Sequence, residues 1–403
     1  VTAVAAVALL AVNLRLVFGS SSAVATEIRE AYRLGAVDAA LLTTGPVVCL
    51  GLFGPLALRA ARRRPTASVL TACLLVIAAG TAVRGIDSWP VLLGGTLLAG
   101  AWIAVANVLG PVFVREFFPD RIGMMTGLFT ALVSASAGVA SGATAPIAES
   151  VLPGWRATLA AWAAPTVLAV AVFANVTTRR RGAQRSSPER SPAGTGMLRS
   201  PTAWALTGFM GIQSLLAYSL IAWLPTLYRD RGLAAAEAGA VLTVLSVASI
   251  VTALTVPVIA ARCSGQRLLA AAVVALSTVG LAGVLTAGPH TAAAWAVLLG
   301  LGQGGQLSLA LTLVNLRAPT TDAAAGLSTM VQSIGYLVAA TGPLLTGAVH
   351  AATGGWTAPV LVLLALMAPL TACGLIAGRA GTRPGDAEAA ASSTVAAASA
   401  VGP

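Results

Sequence analysis

Twelve apolar stretches, each long enough to cross a bilayer as a helix, make up most of this chain and fix the kind of fold it can adopt. About 20 apolar residues span the hydrocarbon core. Here the segments are 3–26, 37–58, 66–84, 89–114, 121–148, 156–177, 201–228, 234–261, 266–287, 290–315, 323–350 and 356–378. The breaks are charged or rich in Pro and Gly, as at Arg62-Arg63-Arg64-Pro65, Phe118-Pro119-Asp120-Arg121, Gly288-Pro289-His290 and Gly354-Gly355-Trp356. Only 9% of the 403 residues are charged, against about 25% in a soluble domain. So few charges cannot cover a water-facing surface, and lipid has to be the solvent. The pattern predicts an all-α membrane protein of twelve transmembrane helices.

The longest polar insertion, residues 178–200, divides the spans six from six. Its run of Arg, Ser, Pro and Glu has the composition of a solvated, disordered linker. The expected organisation is a six-helix bundle over 1–177, a cytoplasmic linker over 178–200, a second six-helix bundle over 201–378 and a disordered cytoplasmic tail over 379–403.

All 24 basic residues are arginine. With both termini in the cytoplasm, 17 arginines fall in cytoplasmic loops and the tail and six in outer loops, Arg84 among the six. This positive-inside bias orients a multi-pass protein of the cytoplasmic membrane. It also accounts for the net charge of +11 without a nucleic-acid partner. Cys49, Cys73 and Cys373 lie in apolar segments and Cys263 in a short basic loop. No Cys spacing suits a metal site, so no metal or other cofactor is expected.

Arg15 is the twenty-fourth arginine, and it sits in the middle of the first span. A charge near the bilayer centre costs about 2.5–3.5 kcal/mol on insertion scales, and persists where it faces protein or a watery cavity. A span carrying Asn13 and Arg15 suits a retained helix better than a signal peptide. Arg15 is therefore the first candidate for an anion contact, against the alternative of an arginine satisfied by backbone carbonyls or by Asn13. At 100° per residue the two side chains lie about 200° apart around a helix, so they do not both face one cavity.

The halves repeat. In span five Gly127-Leu128 opens the helix, Gly138 precedes Pro146 by eight residues, and Gly154-Trp155 follows. In span eleven Gly326-Leu327 opens the helix, Gly335 precedes Pro343 by eight residues, and Gly355-Trp356 follows. Six spans is an even number, so both halves insert with the same orientation. Parallel six-helix repeats with a central linker are the architecture of the major facilitator superfamily, with solute bound near the midplane between the halves.

More narrowly, the chain resembles the cyanate/2-nitroimidazole permease group of that superfamily. The matching segments are Asn13-Leu14-Arg15; Ile103 to Pro111 with Phe118-Pro119 and Met125-Thr126-Gly127; Gly211 to Tyr218; Ala222-Trp223-Leu224-Pro225; Gly302-Gln303-Gly304-Gly305; Leu316-Arg317-Ala318; and Gln332 to Tyr336 with Gly342-Pro343. They cover residues 3–378. Two departures stand out. Leu58 occupies the aspartate position of the superfamily's loop between spans two and three, and Arg115-Glu116-Phe117 alters the charges after span four.

The resemblance implies a cavity lined by spans one, four, seven and ten, with five and eleven close by. Candidate solute contacts are then Arg15, Asn13, Asn107, Gln213, Tyr218, Gln303, Gln306, Gln332 and Tyr336. Gln303 and Gln306 share a helix face, as do Gln332 and Tyr336. Trp223 fits an aromatic-belt position. Gating candidates are Arg59 and Arg62 in the loop after span two, Arg115 and Arg317 closing spans four and ten, and the helix-bending Pro146 and Pro343. No acid falls in mid-span, and His290 and His350 lie at outer ends. A proton as coupling ion would thus act indirectly, or through Glu27 or Asp38 at the outer gate.

The expected protein is a monomeric secondary transporter of a small polar or anionic solute, such as a cyanate-like anion, a carboxylate or a nitroimidazole-type heterocycle. It would work by alternating access, without covalent chemistry. The rival within transport is a drug or metabolite efflux carrier. A polytopic membrane enzyme would need clustered Asp, Glu, His or Cys at a membrane face, and the sequence offers none.

Overall fold

A computed structural model describes residues 2–181, 200–286 and 288–379. Residues 182–199 of the expected linker and 380–403 of the expected tail lie outside the described residues. Twelve helical spans are long and apolar enough to cross a bilayer, as the segment pattern predicts.

Span one is α1 (Thr2–Asn13) and α2 (Leu16–Ala23), followed by α3 (Ala25–Ala31). Spans two to five are α4 (Ala36–Arg63), α5 (Thr66–Ala82), α6 (Trp89–Phe117) and α7 (Ile122–Ser150). Span six is α8 (Trp155–Ala161) with α9 (Ala163–Arg181). In the second half, spans seven to eleven are α10 (Pro201–Asp230), α11 (Ala235–Arg262), α12 (Arg267–Thr286), α13 (Ala292–Arg317) and α14 (Thr321–Thr353). Span twelve is α15 (Thr357–Ala365) with α16 (Met367–Ala377).

Two expectations need correction. The segment 3–26 is not one helix: it breaks at Leu14 and Arg15, and Arg15 has φ −125° and ψ −6°, outside the helical geometry. Arg84, counted above among loop arginines, is wholly buried. Hydropathy detects neither, because a broken helix and a continuous one have the same composition, and one arginine at a span's edge reads as its end.

Within the spans, 78% of the most apolar window is buried for spans four and ten, but only 33% for six and twelve. The first pair is interior and the second faces lipid. The halves meet through spans two and eleven and through spans five and eight. Glycine permits both approaches, since small residues let membrane helices close in. A Cβ on Gly51 would stand 2.6 Å from the Leu337 side chain, and one on Gly127 would stand 2.9 Å from the Leu254 carbonyl oxygen.

The face on which spans six and seven are joined is here termed the linker face, and the opposite one the distal face. At the linker face the bonds cross between halves: Arg115 at the end of span four donates to the carbonyls of Asn315 (2.6 Å), Ala318 (2.7 Å) and Pro319 (3.1 Å). At the distal face, polar and ring contacts among the described residues stay within a half. Arg156 pairs with Asp87 at 2.7 Å and lies 4.6 Å over Trp155. In the other half Trp356 donates to Asp230 at 2.8 Å and stacks on His350 with ring centroids 4.0 Å apart. Among the described residues, the latch between the halves at the linker face is the Arg115 cluster.

Candidate functional site

The break in span one presents Arg15 to the other half. Its guanidinium donates to the Tyr218 hydroxyl of span seven through a short bond, and to the Tyr336 hydroxyl of span eleven at 3.2 Å. It also lies over the Phe18, Tyr218 and Tyr336 rings at 5.5, 5.6 and 5.9 Å. Such cation–π contacts are worth about 0.5–2 kcal/mol each, depending on desolvation. Among the described residues no carboxylate pairs with Arg15. Its partners are neutral phenols, and the side chain stays partly exposed. The positive end of α2 starts at the same point. A cation that faces neutral groups between the halves favours an anion.

Asn13, two residues earlier, faces the other way. It donates to Leu9 (2.7 Å) and Pro165 (3.3 Å) carbonyls and accepts from the Thr166 hydroxyl at 2.6 Å. This fastens span one to span six and leaves Asn13 away from Arg15, as the 200° separation implies.

A second inter-half contact forms around Asn107. Pro111 has no N–H, so the Asn107 carbonyl four residues before it loses its intrahelical donor. Gln332 of span eleven supplies one instead, at 3.0 Å, and also bonds the Ser328 hydroxyl at 2.9 Å. Ser328 donates to the Val108 carbonyl at 2.8 Å. Freed carbonyls in membrane helices are commonly re-satisfied by neighbouring helices in this way. The Asn107 side-chain amide nitrogen itself is buried with no partner, as are both polar atoms of Gln303.

The remaining candidates separate. Gln306 donates to the Val273 carbonyl (3.2 Å) and the Ser277 hydroxyl (2.9 Å), bracing spans nine and ten. Gln213 turns to Ser214 (2.7 Å) and Met210 (3.3 Å) on its own helix. Trp223 donates to the Pro343 carbonyl at 2.9 Å within the second half. Arg317 bonds the Ala377 and Arg379 carbonyls at 3.1 and 2.6 Å and Gln266 at 2.5 Å, so it fastens span ten to span twelve rather than to the other half. Arg59 and Arg62 are exposed at the linker end of span two. Pro146 and Pro343 lie inside continuous helices. The sequence reading missed Phe18, Ser328 and the consequence of Pro111. Pro111 inside an apolar run was the signal available for the last.

The described residues hold no group of three or more His, Cys, Asp or Glu able to bind a metal ion. The site therefore offers one cation, phenols, amides and aromatic faces. Such groups are chemically suited to binding and orienting a solute rather than to covalent chemistry.

Comparison with known proteins gives the family and the fold. The family model described as Major Facilitator Superfamily matches residues 7–340, and the chain belongs to that family. It is 35% identical over 376 residues to the 2-nitroimidazole transporter of Escherichia coli, covering 93% of this chain and 95% of the relative. It is 34% identical over 371 residues to the uncharacterized transporter YycB of Bacillus subtilis, covering 92% of each. The cyanate transport protein CynX of Escherichia coli is 28% identical over 369 residues, covering 89% of this chain and 94% of the relative. Among solved structures, the transporter FucP in the outward conformation superposes with a TM-score of 0.70 at 13% identity, covering 92% of this chain and 97% of that one. At that identity the likeness concerns the fold alone.

Proposed function

We propose that this member of the major facilitator superfamily is a secondary transporter that carries a small anion, or a small polar heterocycle, by alternating access between its halves. One observation carries the reading: Arg15, a cation with no counter-charge among the described residues, stands at a helix break between the halves and is held by neutral groups, the Phe18 ring of its own span and the Tyr218 and Tyr336 hydroxyls of the other half. An anionic solute would complete it. A heterocycle with acceptor nitrogens or a nitro group would take the same guanidinium donors and stack on Tyr218 and Tyr336. The relatives named for 2-nitroimidazole and cyanate transport carry solutes of these two chemistries.

The direction of the cycle follows from the latch. With the linker in the cytoplasm, as the loop arginines favour, the Arg115 bonds would close the cytoplasmic side of an outward-facing state. The Gln332–Asn107 bond must also part for the solute to leave inward. Coupling to a proton would be indirect, since no acid meets Arg15.

The reading is tested by uptake of labelled cyanate and 2-nitroimidazole into proteoliposomes, wild type beside Arg15→Ala. Saturable uptake that Arg15→Ala abolishes without loss of folded protein supports it, and equal uptake in the two proteins refutes it. Orientation has its own test. Cys263 is exposed at the linker face, so an impermeant maleimide added to intact cells should label it only after permeabilisation.

A further inference from the structure

Arg84 lies outside the Arg15 site and is among the largest fully buried side chains of the described residues. It lies in a short 3-10 turn, Val83–Gly85, where span three ends. Spans three and four close on each other there through a pair of glycines. A Cβ on Gly95 would stand 2.6 Å from the Gly80 carbonyl oxygen, and one on Gly80 would stand 2.9 Å from that of Gly95. The Arg84 stem packs over the same Gly95, which sends the guanidinium inward rather than to the distal surface.

Its partners are on α2, the half-helix that begins at Arg15. Arg84 donates to the Ser20 hydroxyl at 3.3 Å and the Ser21 hydroxyl at 2.6 Å. Both serines pass their own protons to one acceptor, the Val17 carbonyl, at 3.2 and 2.9 Å. Nε of Arg84 is buried without a partner, and no carboxylate among the described residues pairs with it. A buried ionisable group in a membrane protein usually marks function or is paired, and this one is unpaired.

The arrangement therefore sets two cations against one eight-residue helix, Arg15 from the residue before it and Arg84 from the end of span three. Arg15 stands at its start. Arg84 grips it five and six residues later, about 8–9 Å along the axis. Neither guanidinium pairs with a carboxylate among the described residues, so each leaves positive potential uncompensated beside α2.

We propose that Arg84 is a specificity-determining and positioning residue. By gripping Ser20 and Ser21 it fixes α2, and by its charge it biases the Arg15 site toward an anion over a neutral solute of the same shape. The proposal rests on the reading of Arg15 as the solute contact; Arg84 itself touches no solute.

The test is equilibrium binding to the full-length purified protein, using benzoate with benzamide and acetate with acetamide as matched anion and neutral pairs, and cyanate as a further anion. Arg84→Met keeps the stem and removes the charge. It should weaken the anions about tenfold, or about 1.4 kcal/mol, and leave the neutral partners within about twofold. The Ser20→Ala, Ser21→Ala double variant keeps the charge and loosens the grip, so it should weaken both members of a pair alike and preserve their ratio. Should Arg84→Met fail to fold, Arg84→Lys decides, and it should keep the anion preference. Loss of that preference in Arg84→Lys, or an unchanged anion-to-neutral ratio in Arg84→Met, overturns the proposal. Failure of the wild type to bind any of these anions, or anion binding that survives Arg15→Gln, would instead refute the Arg15 reading beneath it. Anion binding lost in Arg15→Gln but untouched in Arg84→Met would refute only the role of Arg84.

Discussion

Spans one and seven open the two six-helix halves, and they solve the same position differently. Span seven runs unbroken from Pro201 to Asp230 and presents Tyr218. Span one stops at Asn13, restarts at Leu16 and presents Arg15 from the gap. A continuous helix is the cheaper solution in lipid, because every interior N–H and C=O is satisfied within it. The first half gives up that economy and gains a cation plus the positive end of a half-helix at one point. The second half contributes a rigid wall of phenols. The repeat therefore sets a common frame, and the proposed site draws on its asymmetry.

The ends of spans four and ten repeat the lesson. Each closes with an arginine. Arg115 bonds three carbonyls of the opposite half, whereas Arg317 bonds its own half at Gln266, Ala377 and Arg379. One bridges the two halves and the other braces a single half.

The largest expected effect comes from moving the charge across this comparison. Arg15→Ala should reduce anion uptake at least about 100-fold, the order expected when charge-assisted bonds and a charge contact are lost together. The exchange Arg15→Tyr with Tyr218→Arg should restore less than about a tenth of it, because an arginine on the unbroken span seven has no helix N-terminus beside it. Recovery to wild-type uptake would show that the break is incidental.

Next in size are the phenols. Tyr218→Phe and Tyr336→Phe each remove one hydrogen bond to a charged group, worth about 1.5–3 kcal/mol. Each should raise the apparent KM tenfold or more, since each phenol bonds the Arg15 guanidinium. An equal and negligible effect of both would mean that the phenols only fill space.

Arg115→Ala should shift the resting population toward the state open at the linker face by about tenfold. Distances between spin labels at Asp120 and Ser264 read this directly. Arg317→Ala should leave those distances unchanged and lower thermal stability instead. The smallest effect belongs to Asn13→Ala. Interhelical polar contacts in membranes average about 0.6 kcal/mol and reach about 1.7, so the melting temperature should fall by a few degrees while uptake persists.

Much of this was legible in the sequence, for physical reasons. Hydropathy fixes the number and length of spans, because bilayer thickness is a constraint on every one of them. The Gly-to-Pro spacing of spans five and eleven reveals the repeat. The repeat does not reveal use: Gly335 takes the close approach of Met210 and Gly211, while a Cβ on Gly138 would meet nothing within 4 Å. Arg15 stood out because its cost is local. The side on which each amide found its partner could not be read. Gln213, Gln306 and Gln332 are alike in sequence, yet they bond within a helix, within a half and across the halves. Arg84 was read as a loop residue because the Gly80–Gly95 approach that draws it inward depends on tertiary packing.

The central claim is that Arg15 meets the solute's charge between the halves. Its most direct test is stoichiometric binding of labelled cyanate to the purified full-length protein, wild type beside Arg15→Gln, with melting curves of both recorded in the same buffer. The account predicts saturable binding of one anion per chain in the wild type and none in the variant, at closely matched melting temperatures. Equal binding by the two proteins would contradict it.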